Sequence, residues 1–230
     1  MKTYFTSILI LLCTGLFIVG SCKKDTISAK EDMPNDLPGH ISGMGETDGK
    51  LTGKPFIFPE KIEIKGGIKG DIYLAPAQDY CQIKGSGAFV LAKMDLVNHF
   101  QKDTVFVLPA GLTFLADQAA DQHGILIQET AIYLAKGENC RILLYLYCLN
   151  ARKNGSSNNS TYTFGPITDA APMTELIQLL KGKTINYEHL TQEEFIDLKH
   201  DIQQIVWKVT DYNGLTQEDK DYIKTLQHHS

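Results

Sequence analysis

The sequence predicts an α+β protein in which an antiparallel β-sandwich or barrel is followed by a small three-helix region. Between residues 56 and 151, short segments rich in β-branched and aromatic residues alternate with breaks that contain glycine or proline. Many short strands at such spacing are typical of a sandwich or barrel. Beyond a polar loop at 154–160, the apolar residues recur at helical spacing. Strands first and helices later favour the α+β class.

The sequence from residue 56 to residue 151 predicts seven strands, and turn-forming residues separate them. They are Phe56–Ile64, Ala88–Val97, Thr104–Leu108, Leu112–Ala116, Gly124–Gln128, Ala131–Ala135 and Arg141–Leu149. The breaks between them include Gly66-Gly67 and Pro109-Ala110-Gly111, which suit turns. We therefore assign 56–151 to a β-rich subdomain and 152–230 to a helical subdomain packed on it.

The sequence of the helical part predicts three helices, because residues that favour helix starts and ends delimit them. Proline at the start and glycine at the end delimit a first helix over 172–182. The second helix runs over 191–209, because Thr191 and Glu194 form a capping box. A third, short helix begins at Thr216, which has an acidic residue three positions later.

The N-terminal residues resemble the signal of a bacterial lipoprotein. An apolar run over 8–20 follows Lys2 and is shorter than the roughly 20 residues that span a bilayer. It ends in Val19-Gly20-Ser21-Cys22, which resembles the lipobox, whose cysteine receives diacylglycerol. The resemblance implies that residues 1–21 are removed as a signal peptide and that Cys22 carries the lipid. An ordinary secretory signal with an incidental cysteine is the alternative.

The residues that follow Cys22 indicate the membrane to which the protein is anchored and predict a flexible tether. Lys23 and Lys24 stand where an aspartate would resemble an inner-membrane retention signal, so we expect an exported protein anchored at the outer membrane. Residues 22–55 are polar and lack periodicity, which is typical of a flexible tether. Without residues 1–21 the chain has 21 basic and 27 acidic residues, a net charge of −6. Such a charge excludes a nucleic-acid partner.

The cysteines that remain after export predict at most one disulfide. Cys13 leaves with the signal peptide and Cys22 is lipidated, so Cys81, Cys140 and Cys148 remain. Cys140 and Cys148 lie at opposite ends of one predicted strand, about 26 Å apart at about 3.3 Å per residue. A disulfide permits only about 4.4–6.8 Å between Cα atoms. A bridge must therefore use Cys81, with either of the other two. We name Cys81 and Cys140 as the candidate disulfide, and at least one thiol stays free.

The second predicted helix has two faces. Its main apolar stripe consists of Phe195, Leu198, Ile202, Ile205, Val206 and Val209. Gln203 and Trp207, which are i and i+4 neighbours, share a second face with Ile196. We expect the Gln203 amide to be buried and therefore to need a hydrogen-bond partner. The simplest interpretation is that it bonds to a backbone and that Trp207 belongs to the core.

Two segments resemble the signature of the thioester domains of bacterial surface adhesins. The first is Tyr147-Cys148-Leu149-Asn150, and the second is the Ile202–Trp207 segment with Thr210-Asp211 behind it. In those domains a Tyr-Cys pair precedes a Gln-x-x-x-Trp helix. The cysteine sulfur and the glutamine side chain condense, with loss of ammonia, into a thioester that captures an amine on a host protein. By position, Cys148 supplies the sulfur, Gln203 the acyl group and Trp207 the shield.

This chain departs from the adhesin pattern at two points. The interval from Cys148 to Gln203, 55 residues, is shorter than in the adhesins, and Ile205 stands where a small residue is usual. More broadly, residues 104–226 resemble a loosely defined group of secreted proteins of unassigned role. The resemblance to the adhesins implies a binding or adhesion module.

The functional expectation is a membrane-anchored extracytoplasmic lipoprotein that acts as a binding or adhesion module and not as an enzyme. Its expected partners are the membrane, through the N-terminal lipid, and a protein or glycan ligand. We expect no cofactor and no metal, because no two histidines stand at zinc-ligand spacing on one predicted element. The alternative is a structural or accessory envelope lipoprotein without covalent chemistry. A hydrolase with Cys148 as nucleophile ranks last, since it needs His99 or His123 nearby.

Overall fold

The computed structural model describes residues 37–72 and 77–228, and within them the chain forms strands first and helices later. The strands are β1 (Gly53–Lys54), β2 (Ile62–Gly70), β3 (Gln82–Gly85), β4 (Val90–Asn98), β5 (Thr104–Leu108), β6 (Leu112–Ala116), β7 (Gly124–Ile125), β8 (Thr130–Leu134), β9 (Asn139–Cys148) and β10 (Thr161–Thr168). The helices are α1 (Ala171–Leu180), α2 (Gln192–Thr210) and α3 (Gln217–Thr225). The predicted α+β class, a barrel followed by a small helical region, is confirmed.

Six strands close into an antiparallel barrel. Around the barrel the order is β10, β2, β4, β9, β7 and β6, and β6 pairs with β10 to complete the circle. Closure gives these strands partners on both sides, so the barrel needs no other protection of its edges. β1 pairs with β10 outside the circle, β3 pairs in parallel with β9, and β5 and β8 form a separate two-stranded ribbon.

β9 is buried on both faces, which explains why its sequence is almost continuously apolar. Leu144, Leu146 and Cys148 belong to the core inside the barrel. Tyr147 belongs to a second core, which the three helices share with the barrel wall, and so does Leu149, two residues further along the chain. The alternation of side chains along a strand therefore places Tyr147 and Cys148 in different cores.

The helices begin as predicted. Thr191 and Glu194 form a complete capping box at α2, and Thr216 and Asp219 form another at α3. Pro172 lies in the first turn of α1, where its missing N–H has no helical partner to lose. The buried stripe of α2 packs against the barrel wall and α1. None of the three helices described has the length and apolarity that crossing a bilayer requires.

The tether boundary expected at residue 55 is wrong, because the segment from residue 37 onward packs on the helical region. Ile41 and Met44 are buried in the core that the helices share. The Gly45 N–H donates to the Leu149 carbonyl at 2.7 Å. Gly45 has a φ of 59°, which lets the chain curl tightly at this point. The remaining tether, residues 22–36, and the lipidation residue Cys22 lie outside the described residues.

The subdomain boundary expected at 151/152 is also wrong, because β10 belongs to the barrel. The sequence around Pro166 discourages a strand prediction, since proline lacks the N–H that a central strand donates. The register of β10 against β6 shifts between Phe164 and Ile167, so the proline lies in a bulge. Similarly, Gly66 and Gly67, expected in a turn, lie inside β2 where its register against β4 shifts.

Candidate functional site

The structure brings Cys148 and Gln203 together. Cys148 is the last residue of β9, Gln203 lies in the middle of α2, and both are fully buried. The Cys148 N–H donates to Gln203 Oε1 at 2.8 Å, and Gln203 Nε2 donates to the Cys148 carbonyl at 2.9 Å. The buried amide that we expected on the second face of this helix is thus present, and its partner is the backbone of the candidate cysteine.

The Gln203 amide acts as a substitute strand partner for β9. β4 pairs with β9 only as far as Leu146, the partner of Val90, so the backbone of Cys148 has no strand beside it on that edge. β7 occupies the opposite edge, where Leu149 N–H donates to the His123 carbonyl. An unpaired buried N–H and C=O are costly, and the primary amide satisfies both at once.

The sulfur of Cys148 lies among hydrogen-bonding groups. Trp207 Nε1–H donates to Cys148 Sγ at 3.4 Å, and the Asn150 N–H donates to it at 3.3 Å. The Sγ–H in turn donates to the Asn150 carbonyl at 3.3 Å. Burial raises the pKa of the Cys148 thiol to about 12, although the bonds from Trp207 and Asn150 act in the opposite direction. The thiol is therefore neutral at pH 7.

An aromatic stack covers the sulfur on the side of Trp207. The half-buried indole lies parallel to the ring of Phe89, with centroids 5.4 Å apart and an interplanar angle of 9°. The edge of His200 meets Phe89 at a centroid distance of 5.7 Å. Gly87, two residues before Phe89, lets the chain lie directly against β9, because a Cβ there would overlap the backbone of Leu146. Phe89 carries no sequence signal that links it to the site.

A groove of about 470 Å³ lies next to this stack, between β4 and α2. Phe89, Ile196 and Lys199 are among its lining residues. Ile196, which shares the second helix face, is 36% exposed and therefore forms part of the surface. The Lys199 ammonium lies 5.3 Å from the ring centroid of Phe195, and burial lowers its pKa to about 8.

Cys81 and Cys140, the pair named from the sequence, form a disulfide with their Cα atoms 5.7 Å apart. Cys140 lies near the start of β9 and is buried, whereas Cys81 is exposed just before β3. This bridge leaves Cys148 as the free thiol among the cysteines of the described residues.

The histidines named for the hydrolase alternative do not hydrogen-bond the Cys148 sulfur. His99 Nε2 lies 2.9 Å from Glu63 Oε2, on the surface. His123 Nδ1 accepts from the Ala116 N–H at 3.0 Å. Over residues 37–72 and 77–228, no group of three or more His, Cys, Asp or Glu side chains could hold a metal ion.

Comparison of the chain with protein-family models, with curated proteins and with solved structures finds no match.

Proposed function

We propose that this protein is a lipid-anchored, extracytoplasmic binding module in which Cys148 and Gln203 form an internal thioester. The observation that carries the proposal is the position of the Gln203 carboxamide, buried and held on the backbone of the free cysteine. The lipobox-like residues ending in Cys22 support export and anchoring. The module would capture an amine-bearing partner by transferring the acyl group of Gln203.

The geometry supports the chemistry of thioester formation at two points. Cys148 Sγ attacks Gln203 Cδ, the C–N bond breaks, and the thiol proton leaves with the nitrogen as ammonia. The Cys148 N–H, 2.8 Å from Gln203 Oε1, stabilises the negative charge that develops on this oxygen. Burial beneath Trp207 limits hydrolysis of the product, because water is excluded from the bond. An incoming amine then forms an amide with the Gln203 acyl group and releases the Cys148 thiol.

A second candidate is an accessory envelope lipoprotein without covalent chemistry. The observation that favours it is that the Gln203 amide already has both hydrogen bonds on the Cys148 backbone. The thiol, with a pKa of about 12, is also a weak nucleophile near neutral pH. In this case Gln203 joins α2 to the end of β9, and its role is mechanical.

Intact-mass measurement distinguishes the two candidates. The chain is produced without residues 1–21 and with Cys22→Ala, so that no lipid is added. The thioester lowers the mass by one ammonia relative to the chain with one disulfide. This loss should disappear in Cys148→Ala and Gln203→Ala, and it should persist in Gln204→Ala, a control at an exposed position of the same helix.

Treatment with methylamine provides the second arm of this experiment. A thioester takes up one methylamine at Gln203 and releases one thiol, which is then titrated after unfolding. An unshifted mass, together with a thiol that titrates before any treatment, would exclude the thioester and favour the accessory protein. Lipid anchoring is tested separately by metabolic labelling with palmitate, which Cys22→Ala in the full chain should abolish.

A further inference from the structure

A second pocket of about 470 Å³ lies between one end of the barrel and the C-terminal half of α1. It shares no lining residue with the groove beside Trp207 and none with the Cys148 site. Its walls include Ile127, Gln128, Glu129, Ile177, Gln178 and Asn186. The volume lies within the roughly 300–1,000 Å³ of small-molecule sites.

Asn186 is the most unusual residue of this pocket. It is 5% exposed, yet its Oδ1 is buried and has no hydrogen-bond partner among the described residues. Asn186 precedes the short 3-10 turn Tyr187–His189, where an asparagine side chain commonly caps the turn, but it makes no capping bond. Buried polar atoms without a partner are rare, because their desolvation is not compensated. A ligand that donates a hydrogen bond to this oxygen would compensate its desolvation.

Gln128 offers a second acceptor in the same pocket. Its Nε2 donates to the carbonyls of Leu180 at 2.6 Å and Lys183 at 2.8 Å, at the end of α1. These two bonds use both N–H groups of the amide and fix its orientation. No described residue donates to Gln128 Oε1, so this oxygen is available to a ligand.

The charged side chains that are exposed at the pocket balance, so they do not select a charged ligand. Glu129 and Lys181, both exposed, contribute one charge of each sign. Lys183 also lines the pocket, but its ammonium donates to the carbonyls of Lys224 and Leu226 at 3.1 and 2.8 Å. Apart from the exposed His189, the other polar side chains that line the pocket are the primary amides of Gln128, Gln178 and Asn186. Primary amides donate and accept hydrogen bonds as a hydroxyl group does.

We propose that this pocket binds a neutral, hydroxyl-rich ligand, namely a saccharide unit. The amides of Asn186, Gln128 and, at the rim, Gln178 would bond to its hydroxyl groups. Ile127 and Ile177 would pack against its C–H face. The site is independent of the thiol chemistry, since it uses neither Cys148 nor Gln203.

Saturation-transfer NMR with methyl glycosides of glucose, galactose, mannose and N-acetylglucosamine tests the proposal on the signal-free, unlipidated chain. We expect at least one glycoside to bind, and its Kd to rise at least tenfold in Asn186→Leu and in Gln178→Ala. Gln178 is exposed at the pocket rim, so this variant should fold even where the first does not. Asn158→Leu, at an exposed loop position, is the matched control and should bind normally.

Two further arms make the outcome decisive. Binding should persist in Cys148→Ala, because the pocket is separate from the proposed thioester. The thermal midpoint of Asn186→Leu should not fall, because the variant removes a buried acceptor that has no partner. The proposal is overturned if no glycoside binds at millimolar concentration, if both pocket variants bind normally, if binding is lost in Cys148→Ala, or if methylammonium or acetate occupies the pocket instead.

Discussion

Trp207 and Cys148 are joined by a hydrogen bond from the indole nitrogen to the sulfur, over 3.4 Å. Trp207 follows Gln203 by one helical turn, so a single helix face delivers both groups to the end of β9. The indole and the carboxamide contact different parts of the same residue: the side chain in one case and the backbone in the other. The position of α2 therefore controls both the access to the sulfur and the alignment of the amide.

The buried thiol should make stability depend on pH in the alkaline range. Burial raises the pKa of the Cys148 thiol to about 12 in the folded chain, above its ordinary value of 9.0. Between these values the unfolded chain binds fewer protons, so stability falls as pH rises. In methylamine-treated protein Cys148 is a thiol. We expect its free energy of unfolding to fall, for each pH unit, by about 1.4 kcal/mol more than that of Cys148→Ala. Urea unfolding from about pH 8 to about pH 11 measures the difference; parallel curves would contradict it.

Gln203→Ala should destabilise the protein strongly. The substitution leaves the buried N–H and C=O of Cys148 without partners, and each such group costs about 1–3 kcal/mol. We expect the free energy of unfolding to fall by about 2–6 kcal/mol in total. Gln204→Ala, on the exposed side of the same turn, should change it by less than about 0.5 kcal/mol. Chemical denaturation compares the two variants, and equal effects would show that the amide does not support β9.

The disulfide should contribute a substantial part of the stability. Cys81 and Cys140 are 59 residues apart, and the chain-entropy estimate for a loop of this length is about 4 kcal/mol. Cys81→Ala breaks the bridge at an exposed position and creates no cavity. We expect a loss of about 4 kcal/mol in the free energy of unfolding. Reductant should destabilise the unsubstituted chain and have no further effect on the variant; a variant that still responds to reductant would contradict the assignment.

Substitutions in the segment before β1 test whether it belongs to the folded domain. Met44 is 1% exposed in the helical core, whereas Leu37 is 45% exposed. Met44→Ala should cost about 2–5 kcal/mol, as buried methionines do. Leu37→Ala should cost less than about 0.5 kcal/mol, as a surface substitution does. Thermal or chemical unfolding compares the stabilities of the two variants. A negligible effect of Met44→Ala would show that the segment belongs to the tether and not to the folded domain.

Local features of the fold could be predicted because short-range interactions determine them. The capping boxes at Thr191 and Thr216 need only residues three positions apart, and they appear at the predicted places. The bounds of β5 and β6 also agree with the prediction. β10 could not be predicted in this way, because the bulge around Pro166 is tolerated only through its pairing with β6.

The same distinction applies to the candidate site. The helical spacing of Gln203 and Trp207 indicates that they share a face, and the resemblance adds Cys148. Phe89 stacks on Trp207 through a contact between distant segments, so no local pattern reveals it. The lack of a hydrogen-bond partner at Asn186 Oδ1 likewise becomes evident only when the surroundings of this atom are known.

By itself, the sequence determined the α+β class, the helix starts and the faces of α2, because hydrophobic periodicity and capping act within a few residues. Tertiary structure decided the closure of the barrel, the incorporation of residues 37–55 and the contact of Gln203 with the backbone of Cys148. These features depend on which backbone groups lack a hydrogen-bond partner of their own and are met by segments distant in the sequence. β4 begins opposite Leu146 and so does not lie beside Cys148, and the amide from α2 occupies the place of the missing strand.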